Sequence, residues 1–94
     1  MNIRFHTDLD GEPHIHAHNV SEAEVLEVLD RPLERIGGRD ASFITIGRTR
    51  AGRILKIIDA PAHDGDGIFV ITAFDVPPKQ VHALNRRLKR RRII

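Results

Sequence analysis

A short helix with a marked start and a marked stop is the sequence feature that most constrains the fold. Ser21 is followed three residues later by Glu24, the spacing of a capping box, in which each side chain bonds the other residue's backbone N–H group. The apolar residues within positions 25–29 then form one stripe of a helix. Pro32 ends that helix, because a proline disfavours helical geometry in the residue before it.

The rest of the chain contains four stretches with the alternation or composition of β-strands. These stretches are residues 2–6, 42–48, 53–59 and 68–74. Pro77 and Pro78 can begin a last helix, since proline is tolerated in a first helical turn. The order strand, helix, three-strand meander, helix predicts an α+β fold. We expect a small antiparallel sheet of about four strands, packed with a helix from the N-terminal half and a basic C-terminal helix.

The length of 94 residues predicts a single domain spanning residues 1–94. The chain has no cysteine, which excludes disulfides and thiolate metal sites and fits a reducing compartment. Its longest apolar run, residues 68–73, is far shorter than a membrane span, and its first residues lack the apolar region of a signal peptide. We therefore expect a cytoplasmic protein that does not bind a membrane.

The net charge of +2 hides a strong asymmetry along the chain. Most acids lie in the first third, and no acid follows Asp75. The basic residues after that point are Lys79, Arg86, Arg87, Lys89, Arg90, Arg91 and Arg92. This pattern, densest in a basic tail over residues 86–94, predicts attraction to polyanions, with affinity for phosphates but no sequence selectivity. The alternative is a solvated tail that aids solubility or binds an acidic partner.

A second basic group lies around the turn between two predicted strands. Arg48 and Arg53 flank this tight turn, Arg50 lies within it, and Lys56 follows on the next strand. Facing each other across the hairpin, Arg48 and Arg53 could grip one phosphate through forked hydrogen bonds. The alternative is a solvated hairpin, in which arginine is common.

The histidines form two candidate groups. On a strand, His14, His16 and His18 would share a face and suit zinc or copper, but no carboxylate at a motif-like spacing accompanies them. We therefore interpret the segment as a polar edge or helix lead-in and assign it no metal, and a metal-binding protein that uses these three histidines is the weaker alternative. His82 lies four residues before Arg86 on one helix face, and a histidine beside arginines can transfer protons near neutral pH. The alternative is an ordinary surface histidine.

Three motifs in order resemble the BrnT toxins and related small domains of the RelE-like superfamily. The motifs are His18-Asn-Val-Ser-x-x-Glu24, Gly47-Arg-Thr-x-x-Gly-Arg-x-Leu55 and Val70-Ile-Thr-Ala73. The resemblance covers about residues 14–92 and implies a compact sheet with helices packed on it. It also implies metal-independent and cofactor-independent cleavage of mRNA, often on the ribosome, by attack of the ribose 2′-hydroxyl on the adjacent phosphate. Such toxins are held inactive by a cognate antitoxin.

On this resemblance we expect a toxin endoribonuclease with Arg48, Arg53 and His82 as its catalytic residues. The nucleic-acid-binding residues would be Arg50, Lys56, Lys79, Arg86, Arg87, Lys89, Arg90 and Arg91. Phe74 stands where BrnT-like chains tend to carry arginine, which favours an alternative function. In that alternative, the same scaffold is a non-catalytic module that binds nucleic acid or the antitoxin. The resemblance does not distinguish a monomer from a homodimer.

Overall fold

Five strands form one sheet with helices on both of its faces. The computed structural model describes residues 2–93, and side chains as far as residue 91. The elements are β1 (Ile3–Phe5), a 3₁₀ helix (His14–His18), α1 (Glu22–Asp30), β2 (Pro32–Gly37), β3 (Phe43–Arg48), β4 (Ile54–Pro61), β5 (Ile68–Asp75) and α2 (Pro78–Ile93). The end of the predicted basic tail, residues 92–94, lies outside the described side chains.

The predicted α+β class is confirmed, but the sheet is larger and differently paired than expected. Its strand order is β1-β5-β4-β3-β2, with five strands rather than about four. The sheet is mixed rather than antiparallel, because β1 runs parallel to β5, with Ile3 opposite Ile68. The additional strand is β2, whose pattern is obscured by the acid Glu34 at a buried position and by a register shift after Pro32.

Two apolar layers cover the sheet. The first joins the 3₁₀ helix, α1 and one sheet face, through Ile15, Val20, Val25, Val28, Leu55, Ile57, Val70 and Ala73. The second joins α2 to the opposite face, through Leu84, Val81 and Leu88 against Ile46, Ile54 and Val76. Side chains alternate between the two layers along β4, whereas the β4–β5 register shifts between Ile58 and Asp59, so Val70 and Ala73 of β5 both lie in the first layer. We call the two sides of the sheet the α1 face and the α2 face.

The capping box at the start of α1 is confirmed. The Ser21 hydroxyl accepts a hydrogen bond from the Glu24 backbone N–H at 3.1 Å, and the Ser21 N–H donates to Glu24 Oε1 at 3.0 Å. Asn19 adopts the left-handed conformation, with φ of 59°, and ends the 3₁₀ helix just before this cap. Local sequence therefore fixes where α1 begins, and Pro32 follows its end as predicted.

A buried ionic network closes the part of the α1 face that α1 does not cover. Asp59 is fully buried and accepts two hydrogen bonds from the Arg35 guanidinium, at 2.9 and 3.1 Å. Arg35 also donates to the Thr45 hydroxyl and stacks over the Phe43 ring, 4.5 Å from its centroid. A charge removed from water requires this kind of pairing, so the network serves the fold.

The close approach of the β4–β5 turn to the first strand gives a stability prediction. Gly67 has φ of +88°, and a Cβ there would lie 1.8 Å from the Asn2 carbonyl oxygen, whereas Gly65, at φ of +77°, has open space around it. We expect Gly65→Ala to cost about 1–2 kcal/mol for the backbone conformation alone. Gly67→Ala should cost clearly more, because it also displaces the residues that lead into β1. Urea unfolding measures the free energy of unfolding of both variants. An equal decrease for the two would contradict the close contact between Gly67 and Asn2.

Candidate nucleic-acid interface

The outward side of α2 carries a row of cations that the structure leaves in solvent. Leu84 is fully buried against the sheet, so residues half a helical turn away point outward. The exposed side chains there are Lys79, His82, Arg86, Lys89 and Arg90. Within residues 2–91, no carboxylate lies within ion-pair distance of Lys79, Arg86, Lys89 or Arg90. Their charge is therefore available to an external anion.

The inward arginines of α2 have a different task, which is to hold the helix on the sheet. Arg87 donates to both oxygens of Glu34, each at 2.8 Å, and Arg91 Nη2 donates to Glu34 Oε2 at 3.0 Å. The Glu34 side chain is only 4% exposed. The hydrogen bonds from Arg87 hold the pKa of this carboxyl below its usual range, against the opposing effect of burial. Arg87 and Arg91 were predicted from the sequence to bind nucleic acid, and in the structure both donate to Glu34.

A hollow of about 510 Å³ lies between α2 and the open part of the sheet. Its floor is apolar, with Ile36 and Ile44, and its rim includes Arg87 and Lys56. Lys56 Nζ donates to Gln80 Oε1 of α2 at 3.2 Å. The structure therefore places Lys56 on the α2 face, as part of the same basic surface.

The hairpin arginines Arg48 and Arg53 do not come together. Arg48 pairs with Ile54 in the β3–β4 register, and Ile54 belongs to the α2 layer. Arg53 precedes Ile54, so strand alternation sends its side chain to the α1 face instead. Arg48 lines a shallow hollow with Asn85 and Lys89 of α2. One phosphate therefore cannot be gripped by both guanidinium groups in this arrangement.

Arg53 is occupied by partners within the protein. Its guanidinium donates to Asp75 at 2.9 and 3.0 Å, to Glu24 at 2.9 and 3.0 Å, and to the Asn19 carbonyl at 2.7 Å. These bonds lower the pKa of Asp75 and raise the pKa of Arg53, and they add to the effect of the Ser21 N–H in lowering the pKa of Glu24. Arg53 thus joins the 3₁₀ helix, α1 and β5.

Arg50 and His82, the two predicted site residues not yet described, lie at separate places. Arg50 is exposed in the turn, where its backbone N–H donates to Glu27 Oε1 at 3.1 Å, and it shares a hollow with Arg31, Arg48 and two acids. His82 is exposed on the outward side of α2, away from the sheet. The predicted catalytic group of Arg48, Arg53 and His82 is therefore divided between the α2 face, the α1 face and the outer surface of α2.

The three N-terminal histidines lie on a 3₁₀ helix rather than a strand, so they do not share one face. The His14 and His18 rings are neighbours, 5.2 Å apart between centroids. His16 points instead to Glu12 and Glu22, at 3.5 and 4.0 Å. Over residues 2–93, no group of three or more histidine, aspartate or glutamate side chains is placed to hold a metal ion.

Glu34, His6 and Asp8 were not identified as site residues from the sequence. Glu34 lies in a strand that the apolar pattern does not reveal, and it is identified only by the arginines of α2. His6 and Asp8 are brought beside His14 by a chain reversal, with Asp8 Oδ1 2.9 Å from His14 Nδ1. The turn residues between Asp8 and Pro13 were the only sequence signal for that reversal.

Comparison of the chain with protein-family models, curated proteins and solved structures finds no match. The resemblance to BrnT toxins therefore stays a prediction, and the functional argument depends on the geometry of this chain. Among the described residues, no helix is long and apolar enough to cross a membrane.

The ion pairs of Glu34 predict how stability depends on pH. Because its folded pKa is lowered, Glu34 stabilises the fold above its unfolded value of 4.5, and this contribution is lost as pH falls through the folded value. Glu34→Gln should therefore melt at a lower temperature than the wild type at neutral pH. The difference between the two melting temperatures should become smaller in acid. Thermal melts from about pH 7 to 3 test this. Glu12→Gln, an exposed control, should leave the wild-type curve unchanged, and a constant gap for Glu34→Gln would contradict the assignment.

The contacts of Arg53 predict a structural rather than a ligand-binding role. Arg53→Gln should destabilise the fold by about 1–3 kcal/mol, because Glu24 and Asp75 lose a charged donor. Arg48→Gln changes the exposed arginine on the other side of the same turn and should lower the free energy of unfolding only slightly. Denaturant unfolding compares the two variants. If Arg53→Gln unfolds like the wild type but weakens RNA binding, Arg53 belongs to the ligand site instead.

Proposed function

We propose that this protein is an RNA-binding domain of the RelE/BrnT-like type, whose binding element is the outward side of α2. The observation that carries the proposal is the row Lys79, Arg86, Lys89 and Arg90, exposed and without carboxylate partners among the described residues. Neighbouring residues of this row are separated by at most about two helical turns along one rigid helix. Such a row suits the repeating charges of a phosphate backbone.

The two sides of α2 make different contacts, and this difference supports the proposal. Glu34 accepts hydrogen bonds from Arg87 and Arg91 and so fixes the helix on the sheet, and the outward cations are therefore presented by a preorganised surface. Lys56, and Arg48 beside Lys89, extend the basic surface onto the sheet. A polyanion can therefore contact both α2 and the sheet without a rearrangement of the fold.

A second candidate is the endoribonuclease toxin itself, with a cognate antitoxin and with RNA or the ribosome as partners. It is favoured by His82, which lies one turn from Arg86 on the exposed side of α2. The occupied guanidinium of Arg53 and its separation from Arg48 weigh against the catalytic group taken from the resemblance. Binding through α2 is the better-supported function.

Charge reversal on α2 tests the proposed function. Arg86→Glu with Arg90→Glu should weaken binding of a fluorescent single-stranded RNA at least about tenfold. The same variant should reduce the slope of log affinity against log salt by about 1.4, because two phosphate contacts are lost. Fluorescence anisotropy at several salt concentrations measures both.

The matched control carries the same charge change elsewhere on the molecule. Arg31→Glu with Arg39→Glu also reverses two exposed arginines but leaves α2 intact. It should change the affinity much less than the α2 variant. Equal weakening by the two variants, or no RNA binding by the wild type, would overturn the proposed function.

A further inference from the structure

The sheet ends at β2 in an edge that is open to pairing. Among the described residues β2 pairs only with β3, and it has six residues against three in β1, the strand at the opposite edge. Proteins commonly block such an edge with a proline, an irregularity or a charged side chain. In β2, Pro32 and the register shift beside it lie at the start of the strand. Arg35, Ile36 and Gly37 follow and are exposed, so the second half of β2 can pair with another strand.

The hydrogen-bond pattern of β2 shows which of its backbone groups point outward. The Gly38 N–H donates to the Ser42 carbonyl at 2.9 Å, which makes these two residues a hydrogen-bonded pair of the β2–β3 ladder. Bonded and non-bonded pairs alternate along an antiparallel ladder, so Ile36, two residues earlier, is again bonded to β3. Arg35 and Gly37 therefore direct their N–H and C=O groups away from β3, toward solvent.

These outward groups fit a second copy of β2 that runs in the opposite direction. When Ile36 lies opposite Ile36 of the second copy, Arg35 of each copy lies opposite Gly37 of the other. Each of these two pairs can exchange two backbone hydrogen bonds, so the arrangement forms four. A Cβ at Gly37 would meet open space, so nothing obstructs this pairing at the glycine. The Arg35 guanidinium is held by Asp59, so its charge does not block the edge.

A line of isoleucines on the α2 face leads to the same edge. Ile36 lies opposite Ile44, and Ile44 lies opposite Ile58, so the line crosses β2, β3 and β4. Ile36 is 48% exposed and lines the hollow beside α2 together with Ile44. Opposite residues of a non-hydrogen-bonded pair have Cα atoms about 4.5 Å apart, which brings their side chains into contact. Pairing Ile36 with its counterpart therefore joins the lines of the two copies and removes this exposed side chain from water.

We propose that the protein forms a homodimer by antiparallel pairing of β2 with β2 of a second copy, in the register that places Ile36 opposite Ile36. The result is one continuous sheet, with five strands from each copy. Directly opposite residues of paired strands lie on the same face of a sheet, so the two-fold axis is perpendicular to this one. Both α2 helices therefore lie on one side of the dimer, where a single polyanion can contact both basic rows.

A second copy is the partner that the strand itself specifies, because the outward residues Arg35 and Gly37 are placed symmetrically about Ile36. The small size of the interface sets the strength of the dimer. One short strand pair with a single central apolar contact falls below the roughly 1,200–2,000 Å² that stable complexes bury. We therefore expect a reversible dimer with a dissociation constant on the order of micromolar rather than nanomolar.

Sedimentation of the full chain without RNA, over concentrations from about 5 to 500 µM, measures the association. Gly37→Pro removes an outward N–H from each copy but no bond of the β2–β3 ladder, and Ile36→Lys places two like charges opposite each other. Each substitution should weaken dimerisation at least about tenfold. Leu26→Lys is the matched control, since Leu26 is 45% exposed on α1, and it should leave dimerisation unchanged. Circular dichroism melts establish that each variant is folded.

Cysteine substitution tests the register, because the chain contains no cysteine of its own. The distance of about 4.5 Å between Cα atoms of a non-hydrogen-bonded pair lies within the range that a disulfide can bridge. Under mild oxidation Ile36→Cys should form a covalent dimer at least about tenfold faster than Leu26→Cys. Adding Gly37→Pro to Ile36→Cys should slow the reaction.

Three results would each overturn the inference. The first is a wild type that stays monomeric over the whole concentration range. The second is a dimer that Gly37→Pro and Ile36→Lys leave intact, which would assign the contact to another surface. The third is equal crosslinking of Ile36→Cys and Leu26→Cys. The dimer does not rest on the proposed RNA binding, and each is measured without the other, so either can fail alone.

Discussion

The width of the sheet relative to a single helix constrains everything built on it. Five strands about 4.8 Å apart extend roughly 19 Å across, whereas a helix with its side chains is about 10–12 Å wide. The 3₁₀ helix and α1 share the task of covering one face, but α2 alone packs on the other. The part of the α2 face that carries Ile36 and Ile44 therefore stays open beside a basic helix.

Internal ion pairs decide which charges face outward. Glu24 and Asp75 engage Arg53, Asp59 engages Arg35, and Glu34 engages the inward side of α2. Each pair joins elements that are distant in the sequence, so these charges are matched only once the chain has folded. Four of the cations outside these pairs, Lys79, Arg86, Lys89 and Arg90, lie on the outward side of α2, so this helix presents a basic surface although the net charge of the chain is only +2.

The helices and strands that are specified by neighbouring residues could be predicted from the sequence. The capping box and Pro32 bound α1, alternation and turn residues mark β3 and β4, and the prolines begin α2. The features that depend on contacts between distant segments could not be predicted. Only the guanidinium groups of α2 make Glu34 compatible with a buried strand position, and the parallel pairing of β1 with β5 leaves no periodic signal in either segment. The contacts of Arg53, Arg87 and Arg91 with acids of other elements were equally unpredictable from the sequence.

Helix caps, turns and strand alternation depend on residues a few positions apart, so the local elements could be predicted from the order of the amino acids, as could the uneven distribution of charge along the chain. Which side chains meet could be established only from the folded chain. Strand alternation sends Arg48 and Arg53 to opposite faces, and a chain reversal brings His6 beside His14. Both outcomes depend on register and on contacts between distant segments, and a pattern read along one chain contains neither.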